Sequence, residues 1–178
     1  MLLYLIAQLI GFLALVVIIY HFQRNDRSEM MHLKLMSFLL FTAHFSMLGA
    51  WTGAVMNIIG GVRTYIFNFR TSRKWADKTL WPIAFIIMFW VFGILTWVNN
   101  YSIFPMIGMT TGTMAYWCKQ TKNIRLLVMI SLPPWFIYNL AIGSYPGMIG
   151  NIFIFSSLII SLLRFDVFKK KELKHPFS

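Results

Sequence analysis

Two asparagines occupy matching places in two apolar segments of the sequence. Segments 49–58 (GAWTGAVMNI) and 143–152 (GSYPGMIGNI) both read Gly-x3-Gly-x3-Asn-Ile, which pairs Asn57 with Asn151. A side-chain amide in an apolar medium costs roughly 4–8 kcal/mol on the water-to-cyclohexane scale unless it finds a partner. The pair could therefore hydrogen-bond a neutral polar ligand, or it could hydrogen-bond one helix to another.

A second candidate site combines polar and aromatic side chains at helical spacing. His44 follows Ser37 by seven residues, so both point the same way on a helix, and Phe41 and Phe45 flank His44. Three residues form a matching face later in the chain: Trp135, Tyr138 and Asn139. Such faces suit a small ring-bearing ligand, and a histidine there could titrate. The alternative is an aromatic packing layer in which His44 bonds a backbone carbonyl.

The sequence shows no pattern for catalysis. The acidic residues all lie in polar segments: Asp26, Glu29, Asp77, Asp166 and Glu172. Metal-ligand spacing, a phosphate loop and a nucleophile elbow are all lacking in the sequence. The single cysteine, Cys118, excludes an intramolecular disulfide. We therefore expect a protein that is not an enzyme and that uses neither a metal nor a cofactor.

The elements that carry these residues are apolar enough to lie in lipid. Of 178 residues, 58% are hydrophobic and 12% charged, and the mean hydropathy is +0.68. A soluble domain needs a more polar surface, so the sequence predicts an all-α integral membrane protein. Seven apolar runs can be read as helices: 2–20, 33–50, 54–67, 80–98, 103–118, 126–142 and a last one ending near 163. Hydropathy alone leaves six or eight helices open, because several runs are short for a bilayer.

The positions of the charges favour seven transmembrane helices. All sixteen Lys and Arg residues flank or fill the first, third and fifth loops or lie in the C-terminal tail. Cytoplasmic loops collect these residues, so the N-terminus is predicted outside and the C-terminus inside. The net charge of +11 is then explained by topology and lipid contact rather than by nucleic acid. We expect Arg63 to snorkel to the interface; the alternative is a charge that lines an inner vestibule and favours anions.

The paired Gly/Gly/Asn segments predict an internal repeat of three helices. The first repeat covers 1–70, a linker helix 71–100, the second repeat 101–165 and a basic cytoplasmic tail 166–178. Both repeats start on the same side of the membrane, so this 3+1+3 arrangement is parallel. Pro133 and Pro134 are expected to kink the sixth helix and to serve as a hinge.

The stretch 22–63 (FQRNDRSEMMHLKLMSFLLFTAHFSMLGAWTGAVMNIIGGVR) resembles the YgjV family of bacterial inner membrane proteins. The resemblance rests on the Gln/Arg segment of the first loop, then His, Leu-Gly-Ala-x-Thr-Gly, Asn and Arg. The resemblance implies a location in the bacterial inner membrane and does not point to a particular function. The 3+1+3 order is also similar to SWEET, PnuC and PQ-loop transporters, and likeness to SWEETs implies cavity-facing roles for Asn57 and Asn151. The positions of the prolines differ from those in SWEETs: segment 1–70 of this chain contains no proline.

The leading hypothesis is a facilitator that moves a small polar or ring-bearing solute through a midplane cavity between the repeats. The residues predicted to line it are Asn57, Asn151, His44, Tyr138, Trp135 and Ser37. The lack of carboxylates in the apolar runs favours facilitated diffusion over ion coupling. The alternative is a receptor, lipid-binding protein or assembly factor on the same fold. The predicted partners are the bilayer and the solute, not nucleic acid; a homo-oligomer is left open.

Overall fold

The computed structural model describes residues 1–21, 23–24 and 26–164, and over these residues the protein is all-helical, with no strand. The predicted all-α class and seven helices are confirmed. A short 3₁₀ helix (Asn100–Ser102) precedes α5. The helices are α1 (Leu2–His21), α2 (Arg27–Met47), α3 (Trp51–Asn68), α4 (Leu80–Leu95), α5 (Ile103–Trp117), α6 (Thr121–Ala141) and α7 (Tyr145–Leu162).

Three helix starts differ from the prediction, which followed the apolar runs, and α3 differs least because it begins at Trp51 rather than at 54. α2 begins at Arg27 rather than at 33, because the Asp26 carboxylate accepts a hydrogen bond from the Glu29 N–H (2.8 Å) and caps a polar first turn. α6 begins at Thr121 rather than at 126 and continues through both interior prolines, each of which lacks a backbone donor. The predicted tail, 166–178, lies outside the described residues.

Three of the described helices, α1, α6 and α7, are long and apolar enough to cross a bilayer, and α4 is apolar but shorter. The helices α2 and α3 are as long but carry more polar residues in their sequences. Membrane crossing by α2, α3, α4 and α5, the 3+1+3 boundaries and the N-out orientation stay predictions.

The helix bundle has two ends, which differ in the groups that form their contacts. At the first end, the Gln8 amide of α1 donates to the Gly143 carbonyl (2.8 Å), and the Gly53 N–H at the start of α3 donates to the Tyr138 hydroxyl near the end of α6 (3.0 Å). We call this the glycine-turn end, because Gly49 and Gly143 form its turns. The opposite end, the basic end, carries the loops after α1, α3 and α5, where the Lys and Arg residues collect.

The two glycine turns have the same backbone geometry. Gly49 and Gly143 have φ of +70° and +68°, which other residues rarely adopt. After each glycine, a backbone N–H returns to a carbonyl five residues back, from Ala50 to Phe45 and from Ser144 to Asn139, both at 2.8 Å. This is the Schellman ending of a helix. The shared geometry supports the repeat inferred from segments 49–58 and 143–152.

The packing order of the helices is also matched. α1 packs on α2 and α2 on α3; in the same way, α5 packs on α6 and α6 on α7. We call α1–α3 the first half and α5–α7 the second half. The halves meet where α1 contacts α7 and where α3 contacts α5. α4 covers α3 and α5 through buried Phe85 and Phe89, which pack against Met56, Met106 and Met109.

Substitution at Gly53 tests how closely the halves approach. A Cβ there would lie 2.7 Å from Cε1 of the buried Tyr138 ring, whereas a Cβ at Gly61, two turns on, would meet Phe38 at an ordinary 3.6 Å. Overpacking costs about 1–3 kcal/mol, so Gly53→Ala is expected to lower the thermal unfolding midpoint in detergent. Gly61→Ala is the control and should be neutral or stabilising, because alanine favours helix by about 1 kcal/mol. Equal midpoints for the two variants would contradict this packing.

Candidate functional site

The start of α3 is capped by a side chain from the other half. Its N-cap residue, Ala50, has no side-chain acceptor, and the Gly53 N–H instead donates to the Tyr138 hydroxyl (3.0 Å). That hydroxyl in turn faces the Ala50 carbonyl at 3.4 Å. Free N–H groups at a helix start need acceptors, most of all where water is excluded. Tyr138 therefore supplies to α3 what the local sequence lacks.

The start of α7 is joined to the first half by His44. Ser144 is the N-cap of α7, and its Oγ accepts from the Gly147 N–H (3.3 Å). His44 Nε2 lies 2.7 Å from this Oγ, and His44 Nδ1 lies 2.7 Å from the Ala7 carbonyl. A carbonyl only accepts, so Nδ1 carries the proton, and in the neutral ring Nε2 accepts the Ser144 hydroxyl proton. One buried chain of hydrogen bonds thus joins α7, α2 and α1.

The aromatic faces predicted from the sequence meet directly. The Phe45 ring stacks on Trp135 and packs against Tyr138, with both centroid distances at 6.1 Å. Phe41 stacks on Phe45 at 6.0 Å. In this conformation the rings fill the space between α2 and α6, and His44 bonds to a carbonyl as the packing alternative expects. A role in solute binding stays a prediction.

The polar members of the predicted site bond to backbone carbonyls. Asn57 Nδ2 donates to Gly53 O within its own helix, and Asn151 Nδ2 donates to Leu132 O of α6, both at 2.9 Å. The Ser37 hydroxyl donates to the carbonyl of Lys34, also in its own helix (2.8 Å). Each of these side chains therefore has a backbone partner without a ligand. The two asparagines donate to different carbonyls and share no acceptor.

A pocket of about 320 Å³ opens at the basic end, where the sequence did not predict one. It lies between the end of α1, the start of α2, the end of α3 and the end of α5, so both halves contribute. None of the six predicted site residues lines it. Its lining residues are His21, Met30, Met31, Lys34, Arg63, Thr64, Phe67, Asn68 and Tyr116. We call it the basic-end pocket.

Arg63 lies at the inner wall of this pocket, and the expectation that it snorkels outward is wrong. Its side chain is 3% exposed, and Nη1 donates to the Thr113 hydroxyl of α5 at 2.8 Å. The guanidinium also sits over the Tyr116 ring, 5.1 Å from the centroid. Its Nε–H has no hydrogen-bond partner among the described residues. The side chain turns inward because these α5 groups bind it where α3 and α5 join the halves.

The acidic groups of the described residues are engaged elsewhere. Asp26 caps α2, Glu29 pairs with Arg24 at 2.6 Å, and Asp77 pairs with Arg70 at 2.7 Å. The hydrogen bond from Arg70 holds the pKa of the Asp77 carboxyl below its usual range, so this group stays charged and paired. No carboxylate in the described part of the chain pairs with Arg63. That part also contains no group of three His, Cys, Asp or Glu residues close enough to hold a metal ion.

Sequence reasoning found the residues of the aromatic layer but missed the pocket. The signal for the pocket was the position of two cations inside helices: Arg63 lies five residues before the end of α3, and Lys34 lies seven residues after the start of α2. Snorkelling explains such residues when each helix is read alone. That the two cations face one ring follows only from how α2, α3 and α5 are rotated against each other.

Comparisons with known proteins agree with the membrane character of the fold. The model of the Imp-YgjV family, described as bacterial inner membrane protein, matches residues 5–169. The chain is 27% identical over 179 residues to the inner membrane protein YgjV of Escherichia coli strain K12, covering 98% of this chain and 92% of that protein. No solved structure matches. The resemblance inferred from 22–63 therefore extends over nearly the whole chain.

Removing the hydroxyl of Tyr138 tests the capping of α3. Tyr138→Phe keeps the ring but leaves the buried Gly53 N–H unpaired, which costs about 1–3 kcal/mol, so the thermal midpoint should fall. Ala50→Ser adds the acceptor that Ser144 provides to α7, and the double variant should recover most of the loss. Tyr65→Phe, at an exposed position of α3, is the control. A midpoint for Tyr138→Phe equal to that of the control would exclude the cap.

Proposed function

We propose that this chain, which belongs to the Imp-YgjV family of bacterial inner membrane proteins, carries a small polar or ring-bearing solute across that membrane by facilitated diffusion. The solute would pass between the two halves. The proposal involves no catalytic step and no cofactor.

One observation carries the proposal: the bundle is open at one end and closed at the other. The basic-end pocket is lined by eight residues of the first half and by Tyr116 of the second half, which closes it from α5. At the glycine-turn end, hydrogen bonds cross between the halves, from Gly53 to Tyr138, between His44 and Ser144, and from Gln8 to Gly143. A carrier that alternates its access needs such a pair of ends, one open and one closed. In this proposal the structure is the state open to the basic end.

In the same proposal, the predicted midplane residues form the layer directly below the closed end. Tyr138 and His44 bond across the halves, and Trp135 stacks beside them on Phe45. Rocking of the halves would separate these rings and open the cavity that the sequence predicts. Asn57, Asn151 and Ser37 would then exchange their backbone partners for the solute. Pro133 and Pro134 lie inside α6 and would let its two parts move.

A specific observation favours the second candidate, a receptor, lipid-binding protein or assembly factor on this fold. The aromatic layer is packed, and both asparagine amides are satisfied by carbonyls. A protein that never opens this layer needs no cavity there. The two candidates differ in whether the glycine-turn end opens.

Uptake into vesicles tests the carrier directly. Protein reconstituted in phosphatidylcholine vesicles is incubated with a mixture of polar metabolites, and retained solutes are identified by mass spectrometry. We expect one chemical class to accumulate above protein-free vesicles and to equilibrate rather than concentrate. Asn57→Ala with Asn151→Ala should reduce that uptake about tenfold or more, as expected when two ligand hydrogen bonds are lost. Unchanged uptake in the double variant would remove the asparagines from the site; no accumulation by the parent would favour the second candidate.

Opening of the glycine-turn end can be measured without knowing the solute. In a Cys118→Ser background, Ala54→Cys places a thiol in the packed cluster beneath Tyr138, where Ala54 is 2% exposed. A carrier should let a membrane-impermeant maleimide label this thiol slowly, and faster when Tyr138→Phe weakens the closure. Ala115→Cys, equally buried in α5, is the control and should not respond to Tyr138→Phe. A thiol at 54 that resists labelling in both backgrounds would indicate a permanently closed end.

A further inference from the structure

We propose that the basic-end pocket binds the anionic group of its ligand, a carboxylate or a phosphate, between Arg63 and Lys34. The inference rests on the proposed function where it concerns transport, because it names the class of solute; the binding site itself does not depend on transport.

The charge of the pocket carries the inference. Its lining includes Arg63, Lys34 and His21 and no acidic residue. Removing a charge from water costs several kcal/mol unless a partner of opposite sign compensates it. Arg63 is nearly fully buried, and its described contacts are neutral: the Thr113 hydroxyl, the Met109 carbonyl and two aromatic rings. Neutral acceptors compensate such a charge less well than an anion does.

The geometry brings two cations to one ring. Arg63 Cζ lies 5.1 Å and Lys34 Nζ 4.8 Å from the centroid of Tyr116. The two like charges repel each other, and an anion near both would attract each of them and offset that repulsion. Arg63 Nε–H has no hydrogen-bond partner among the described residues but is shielded from solvent, so the anion reaches it only when the neighbouring side chains shift; the lysine ammonium supplies the other donors.

The size of the pocket limits the ligand. A volume of about 320 Å³ is at the lower end for small-molecule sites, so it admits a small organic anion or one lipid headgroup. Apolar Met30, Met31 and Phe67 cover the remaining wall and suit the carbon part of such a ligand. Since Arg63 bonds to Thr113 across the α3–α5 contact, the anion would sit where the halves join.

Anion-dependent stability tests the site in the full-length protein. Thermal unfolding is followed in phosphatidylcholine nanodiscs with inorganic phosphate or succinate, against sodium chloride at matched ionic strength. Both anions should raise the midpoint beyond the chloride control. Lys34→Gln should weaken phosphate binding about tenfold, as loss of one charge-assisted hydrogen bond does. Lys122→Gln removes an exposed cation of the same end outside the pocket and should bind like the parent. No specific stabilisation, or equal loss in both variants, would overturn the proposal.

Two further arms identify the source of the anion. If a lipid headgroup supplies it, phosphatidylglycerol added to the nanodiscs should stabilise the parent but not Lys34→Gln, and should block phosphate. If a soluble anion supplies it, phosphate should still bind in those discs. An Asp166→Asn, Glu172→Gln variant removes the carboxylates outside the described residues and should bind phosphate like the parent; tighter binding would assign the pocket to the chain's own tail and overturn the proposal.

The outcomes separate this inference from the proposed function. Binding of phosphate without any uptake would keep the anion site and remove the carrier. Uptake of a solute without any stabilisation by phosphate, succinate or phosphatidylglycerol would keep the carrier and remove the anion site.

Discussion

The architecture depends on the need to satisfy backbone N–H groups at the buried starts of two helices. α3 receives its acceptor from Tyr138 of the second half, and the cap of α7 is bonded by His44 of the first half. Apolar contact alone gives little preference for one helix partner over another in lipid, whereas buried hydrogen bonds fix position. The stacking of Phe45 on Trp135 and the bond from Gln8 to Gly143 follow once these caps set the halves in register.

How far the sequence predicts this arrangement can be seen residue by residue. The spacing around Gly49 and Gly143 predicted paired turns, which the structure has. Helical periodicity placed Phe45 and Tyr138 on two matching faces but left open whether these faces meet, and in the structure they do. Periodicity fixes which face a residue occupies but not how helices rotate or slide against each other. The capping role of Tyr138 and the inward turn of Arg63 depend on such placements. The polar first turn of α2 had a local signal, Asp26 followed by Glu29, which the apolar runs concealed.

The two ends of the bundle use opposite physical means. The glycine-turn end is held by neutral hydrogen bonds, one between Gly53 and Tyr138 and one between His44 and Ser144, which are short-ranged and directional. The basic end is shaped by charge, with Asp77 fixed on Arg70 and Arg63 left beside Lys34 and Tyr116. Charges act over longer distances and respond to ions in solution. Ions in solution therefore act mainly on the basic end, whereas the hydrogen bonds of the glycine-turn end depend on the relative placement of the helices.

The unequal capping of the two third helices has a consequence for biogenesis. α7 carries its own acceptor in Ser144, one residue before the helix, so its first turn can form as soon as it is made. The first turn of α3 lacks its acceptor until Tyr138, which lies 85 residues after Gly53, has been synthesised. During synthesis the first half therefore leaves the ribosome with the start of α3 incomplete, and it matures only when α6 arrives. The order of the chain therefore means that the first half completes its folding by packing against the second half.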